Sequence, residues 1–171
     1  MKPILLLVFF YTIGFASLNN INSFEADFKQ SIKDDKNKVL TYSGHIMASK
    51  PQHALWTYKK PVKKSIYISE FSVTIIEPEI EQVIIRKISS NFDIFKLIQN
   101  AKKIKKNEYS TVYKDTKFNI TVKNDLIKSI SYVDQFDNDV EIIFENQKQN
   151  EKINEQIFYP IIPEDYDIVR D

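Results

Sequence analysis

From residue 23 onward the chain alternates apolar and polar side chains with a period of two. Between Ser23 and Lys33, Phe24, Ala26, Phe28 and Ile32 fall on one face, and Glu25, Asp27, Lys29, Ser31 and Lys33 on the other. That is the pattern of a strand with one buried side. A helical phasing through Ile21, Phe24, Phe28 and Ile32 is the alternative, but period two accounts for every residue of the stretch except Gln30. Asp34 to Lys38 reads as a polar turn. Leu40 to Ser49 alternates again, with Leu40, Tyr42, Ile46 and Ala48 in phase. Lys50-Pro51-Gln52 interrupts the pattern, because proline has no donor for a ladder. Ala54 to Tyr58, Ser65 to Ser69, Ser72 to Ile76 and Gln82 to Lys87 read as short strands bounded by polar or proline residues.

The period changes near Asn91 to Ala101, where Phe92, Phe95, Leu97 and Ile98 gather on one side of a helix. Ser89 or Ser90 is the expected cap, and Lys102, Lys103, Lys105 and Lys106 follow the end, where the helix dipole favours positive charge. Strands resume at Tyr109 to Tyr113, Lys117 to Lys123, Leu126 to Val133 and Val140 to Glu145, with Asn124-Asp125 as a hairpin turn. A polar stretch from Asn146 to Glu155 leads to Phe158-Tyr159-Pro160 and an acidic tail from Pro163 to Asp171.

This pattern predicts an α+β domain, mainly an antiparallel meander. The apolar phases of its first half (Ile46 and Ala48; Ala54, Trp56 and Tyr58; Ile66 and Ile68; Val73 and Ile75; Val83 and Ile85) are expected on one side of the sheet. An open sheet cannot leave such a face in water, and Phe92, Phe95 and Ile98 offer a helical cover. Taken singly, each of these residues reads better as core. As a set they suggest more, since a cover that lifts turns a core into a cavity.

The first residues read differently. Lys2 precedes an apolar run from Ile4 to Phe10, and Gly14-Phe15-Ala16 supplies small residues at its exit. This is the pattern of a cleaved secretory signal over residues 1–16, with the domain occupying 17–171. The run is too short to span about 30 Å of hydrocarbon. There is no cysteine to carry a lipid after the cut, so the exported chain is expected free in solution; a monomer is expected as well. Removing Lys2 brings the formal charge of +1 to zero, which leaves no field for nucleic acid to feel. With glycine only at Gly14 and Gly44, phosphate-cradling loops are excluded. His45 and His53 lie on different predicted strands with no acid or cysteine set near them in sequence, so no metal or cofactor is implied.

Phe24-Glu25-Ala26-Asp27-Phe28-Lys29-Gln30 resembles the alternating F-x-A-x-F-x-Q opening strand of the periplasmic outer-membrane lipoprotein carriers, the LolA family. Gly44, Lys50-Pro51, Trp56 and Pro61 are similar in order and spacing to that family's G-x-x-x-x-x-R-P-x-x-x-x-W-x-x-x-x-P block. Pro78 and Glu81-Gln82 match a later P-x-x-E-Q, and Phe158, Pro163 and Val169 its closing pattern. The resemblance implies a half-open, curved β-barrel with a helical lid and an acyl-chain cavity. Its implied cargo is acylated lipoproteins, received from an inner-membrane ABC transporter of the LolCDE type and handed to an outer-membrane acceptor of the LolB type. The implied lipid-binding residues are Ile46, Ala54, Trp56, Tyr58, Ile66, Ile68, Val73, Ile75, Val83, Ile85, Phe92, Phe95 and Ile98, with Lys50 as lid latch.

The chain departs from the family at several points. Lys50 replaces an arginine and loses its planar fork. Ala54 stands where a large aromatic is usual and Leu55 where a polar residue is common. Ser69-Glu70-Phe71 replaces a D-G turn, and the N-terminal helix is nearly absent. Two other readings remain at this stage: a lipid-binding or envelope-stress sensor on the same fold, and a secreted hydrolase. No nucleophile–base–acid set supports the last.

Overall fold

The computed structural model describes residues 18–87 and 93–170. The leader 1–16 with its cut site, and Ser89, Ser90 and Phe92 of the predicted helix, lie outside these. The strands are β1 (Ser23–Lys33), β2 (Val39–Ser49), β3 (His53–Lys60), β4 (Lys64–Ile68), β5 (Ser72–Glu77) and β6 (Gln82–Lys87). After helix α1 (Ile94–Gln99) come β7 (Lys102–Lys105), β8 (Glu108–Tyr113), β9 (Thr116–Lys123), β10 (Leu126–Val133), β11 (Asp139–Gln149) and β12 (Asp167–Arg170). They form one sheet in the order β12-β6-β5-β4-β3-β2-β1-β11-β10-β9-β8-β7. Every pairing is antiparallel except that of β12 with β6. Among the described residues no helix is long and apolar enough to cross a membrane.

The sheet curls without closing. Ile66 and Ile68 on β4 line the same cavity as Phe118 on β9, although five strands lie between them in the ladder. At about 4.8 Å per strand a flat sheet would hold them roughly 29 Å apart. Register shifts at Glu25/Asp27, Ser43/Gly44 and Ile127/Ser129 mark bulges, which bend and twist the strands that carry them. The edges, β7 and β12, remain unpaired with each other, so the predicted half-open barrel is the observed architecture.

Local chemistry explains the turns. Scarcity of glycine leaves asparagine and aspartate to adopt the left-handed backbone at the hairpins, at Asn37, Asn107, Asn124, Asp125 and Asp137. Gly44 is needed for a different reason. A Cβ there would collide with the Thr57 carbonyl oxygen and approach the Phe28 ring to 2.8 Å. The missing side chain lets Phe28 lie across β2 and reach Trp56 and Tyr58, with centroids 5.1 and 5.0 Å away.

The second half of the chain departs most from expectation. The helix starts later: Asp93 is its cap, accepting from the amides of Phe95 and Lys96 at 2.9 and 3.2 Å. Lys102 to Lys105 is not a charged helix end but the exposed edge strand β7. The polar stretch after Glu145 continues β11 to Gln149, and the acidic tail contains β12. β12 and the last residues of β11 lack the apolar alternation that would have revealed them.

Candidate functional site: the inner face and its cover

Register builds the site row by row. Cross-strand partners share a face, so Ala26, Ile46, Trp56, Ile66 and Ile75 form one inner row across β1 to β5. Phe24, Ala48, Ala54, Ile68 and Val73 form a second beside it. On the other side of β1 the inner face continues through Phe144 and Ile142 of β11, Ile130 and Tyr132 of β10, and Phe118 and Ile120 of β9. Ile46, Ala54 and Trp56 are buried; Tyr58, Ile66, Ile68, Val73 and Ile75 are partly so.

α1 plugs this concave face. Its Ile94, Phe95, Leu97 and Ile98 are all buried and join the core of the inner sheet. Leu18 and Ile21 of the N-terminal segment belong to the same cluster, and that segment packs against the helix. A six-residue helix is far below the length that is stable alone. It therefore depends on its apolar face and on the Asp93 cap, whose second carboxylate oxygen lies 3.7 Å from Lys96 Nζ.

A cavity of about 160 Å³ remains beneath the helix, lined by Gln30, Trp56, Tyr58, Ile66, Ile68, Ile94, Phe118, Ile130, Tyr132 and Ile142. Its polar lip lies toward the ends of β1 and β3, where Tyr58 donates to Gln30 Oε1 at 3.0 Å. Burial, with Tyr132 and Tyr42 nearby, pushes the Tyr58 phenol up to about 12. Burial and Asp134 likewise raise Tyr132. Both hydroxyls stay neutral across the physiological range, so the two phenols bring hydrogen-bonding groups but no charge of their own to the lip. Apart from Gln30 and these two phenols the lining is aliphatic or aromatic, which suits an apolar guest.

The structure thus brings Trp56, Tyr58, Ile66 and Ile68 to the cavity, packs Ile46, Ala54, Phe95 and Ile98 around it, and places Val73 and Ile75 farther along the inner face. Two of the expected residues are elsewhere. Val83 pairs with Ile76 and Ile85 with Thr74, both on the outer face, whereas Ile84 is the partner of Ile75. The polar turn at Glu77 to Glu81 hides the parity between β5 and β6, so choosing the apolar residue at each alternate position selects the wrong phase. Lys50 also differs from expectation. It does not reach the helix; its Nζ donates to Asn22 Oδ1 at 2.9 Å and its amide to the Asn22 carbonyl at 2.9 Å. It fastens the N-terminal segment, which in turn touches α1.

Sequence reasoning missed Gln30, Ile94, Phe118, Ile130, Tyr132 and Ile142. The strands that carry Phe118, Ile130, Tyr132 and Ile142 were legible, but only the curl of the sheet brings β9 to β11 against β3 and β4.

The outer face has its own small core. Leu55, Ile76, Val83 and Phe158 are buried there, apart from the inner cluster. Phe158, from the C-terminal chain, stacks on His53 with centroids 5.6 Å apart. Leu55, unusual for a position where polar residues are common, is explained by this cover. Phe71 stays 71% exposed at its turn. His45, with no paired acid near it in sequence, is brought by the β1–β2 pairing between Asp27 (2.9 Å) and Glu25 (3.3 Å). Hydrogen bonds from Asn146 and His45 hold the Asp27 carboxyl below its usual range. Among the described residues no cluster of three or more His, Cys, Asp or Glu is placed to hold a metal.

Comparison with known proteins agrees with this geometry. The fold is similar to that of an uncharacterized conserved protein from Thermus thermophilus, with a TM-score of 0.54 and 12% identity over 90% of this chain and 93% of that one. The sequence is 42% identical to the outer-membrane lipoprotein carrier protein of Campylobacter jejuni over 96% of this chain and 97% of the relative. It is 34% identical to the protein of the same name from Helicobacter pylori strain J99, over 90% of this chain and 83% of the relative. The family model described as "Outer membrane lipoprotein carrier protein LolA" matches residues 19–160. The chain belongs to the LolA family of outer-membrane lipoprotein carrier proteins.

Proposed function

We propose that this chain is a monomeric, non-enzymatic carrier that takes acylated lipoproteins across the periplasm with their acyl chains held against its inner face. One observation carries the reading: an apolar cavity lies beneath a short helix that shares no ladder with the sheet. Each methylene removed from water is worth about 0.8 kcal/mol, so a multiply acylated protein needs a dry host to leave a membrane. A cavity of 160 Å³ is below the roughly 300–1,000 Å³ that encloses a drug-sized ligand. Loading therefore requires α1 to move, exchanging its four buried apolar side chains for acyl chains. That exchange offsets part of the binding energy and keeps release possible. The contact set on this reading is Trp56, Tyr58, Ile66 and Ile68, with Ile46, Ala54, Val73 and Ile75 around them and Phe95 and Ile98 on the cover; Phe92 is assigned to the cover from sequence alone.

The donor on this reading is an inner-membrane ABC transporter of the LolCDE type, and the acceptor an outer-membrane protein of the LolB type or a substitute. Export follows from the leader, and N-terminal sequencing of envelope-purified protein should begin at Ser17 or within a residue or two. Depletion tests the function. Mature, fully lipidated outer-membrane lipoproteins should accumulate in the inner membrane when the two membranes are fractionated. Unprocessed lipoproteins would indicate an enzyme of lipid modification, and normal sorting with an altered stress response a sensor.

A further inference from the structure

The β3–β4 turn is not used by the cavity, yet it stands at the cavity's mouth. Register puts it there: Tyr58 pairs with Lys64, and Tyr42 and Leu40 of β2 pair with Gln30 and Ile32 of β1. The inner face therefore runs from Trp56 through Tyr58 and Tyr42 to Leu40, which is 48% exposed. The turn beside it reads Lys59-Lys60-Pro61-Val62-Lys63-Lys64. Val62 at its tip and Val39 at the start of β2 are exposed as well. Among the described residues, Lys60, Lys63 and Lys64 form no ion pair. Lys64 Nζ instead lies over the rings of Tyr58 and Tyr42, 4.7 and 5.7 Å from their centroids.

We propose that this turn, with the first residues of β2, is a docking surface for an anionic lipid bilayer that brings the cavity mouth against the headgroups. Three features favour a bilayer over an acidic protein. The patch is an exposed turn rather than a groove, with an apolar residue among lysines whose stems can lie along the acyl boundary while their charges stay at the phosphates. Tyrosines line the mouth directly behind it, and tyrosine favours the level of the headgroups. The patch is continuous with the apolar inner face that lines the cavity. The neighbouring acids limit its extent: Glu77, Glu79 and Glu81 flank the β5–β6 turn at the same end, and Asp34 is turned into its own hairpin by the amides of Lys36 and Lys38. Contact is therefore through the β2–β4 corner and not the whole rim. A patch of a few lysines gives weak, salt-sensitive attachment, which suits a shuttle that must leave again. The purpose of docking rests on the carrier reading; the docking itself does not.

The test is co-flotation of the mature chain with phosphatidylglycerol-containing or pure phosphatidylcholine vesicles at low and high salt. Wild type should bind only the anionic vesicles and dissociate as salt rises. The double variant Lys60→Gln/Lys63→Gln should bind them on the order of tenfold more weakly or worse, Val62→Ser should also weaken binding, and Lys60→Arg/Lys63→Arg should bind as wild type does. Quenching of Trp56 by an apolar dye in vesicle-free buffer should be the same in all of them, which shows that each is folded. Wild type that ignores anionic vesicles overturns the proposal and leaves the turn to an acidic protein partner. Undiminished binding by the glutamine variant overturns it too. If wild type floats with anionic vesicles but binds no dye, docking stands and the carrier reading fails.

Discussion

On the inner face the cover is α1, six residues without a ladder to the sheet, resting over a residual cavity. On the outer face the cover is the C-terminal chain. Its Phe158 is buried against His53, and its last described residues pair with β6 as β12. The contrast is one of attachment. The outer cover is held by backbone hydrogen bonds as well as apolar contact, so lifting it breaks a strand. The inner cover is held by side chains and one cap, so a guest that supplies equivalent apolar contact can replace it.

Phenylalanine truncations give the largest expected effect and the sharpest test of that contrast. Phe158→Ala and Phe95→Ala each empty a buried site and should cost about 3–5 kcal/mol in denaturant unfolding. Their effects on binding should diverge. Phe95→Ala enlarges the space beside the cavity and should tighten apolar-dye binding, whereas Phe158→Ala should leave it unchanged. Equal changes in dye affinity would break the comparison.

The next effect is at the cavity lip. The Tyr58 phenol titrates near 12 in the folded chain and near 10 unfolded. Its raised value contributes stability that is complete below pH 10 and is lost as pH rises toward 12, because only the unfolded chain releases the proton in that window. The loss is about 1.4 kcal/mol per pH unit at most. Urea unfolding of wild type should therefore weaken more steeply from pH 10 to 12 than that of Tyr58→Phe. Parallel slopes would show that the lip is wet.

Smaller again is the cap. Asp93→Ala should remove about 1 kcal/mol, and the loss should be confined to the cover. Amide exchange should speed up in α1 while the amides of β1 and β2 keep their protection, and Asp93→Asn should retain most of the cap. Uniform loss of protection would mean that α1 and the sheet open as one unit.

Much of this molecule was legible in its sequence, and what was not has a physical cause. Strands buried on one side revealed themselves by parity, which is why β1 and β10 begin and end where expected. β7 and β12 are edge strands with every residue exposed, so burial wrote no pattern into them. Spacing alone puts the cap too early, because serine and aspartate both cap well and it does not choose between them. In the site, Trp56 and Tyr58 were found because their strand announces its inner face. The far wall needed the curl of the sheet, and Val83 and Ile85 fall on the other face because parity does not survive the turn between β5 and β6.

Lys50 gives the smallest effect, and the one most dependent on the contrast between covers. Its ammonium reaches Asn22, not the helix, and Asn22 precedes the strand that follows Leu18 and Ile21, the residues clustered with α1. A latch acting through this contact must show coupling between the two side chains and must act on the cover alone. In a double-mutant cycle, Lys50→Leu and Asn22→Ala should each cost within about 1 kcal/mol, since the contact is exposed to water, and together no more than the larger of the two. Release of a bound acyl probe should slow in Lys50→Leu as the N-terminal segment loses its anchor and settles on the guest. Lys50→Arg, which restores the charge and adds donors, should hold the closed state at least as well as lysine. Strict additivity, with release rates unchanged in all three variants, would reduce Lys50 to a rim charge and leave the Asp93 cap and the apolar face of α1 as the whole of the closure.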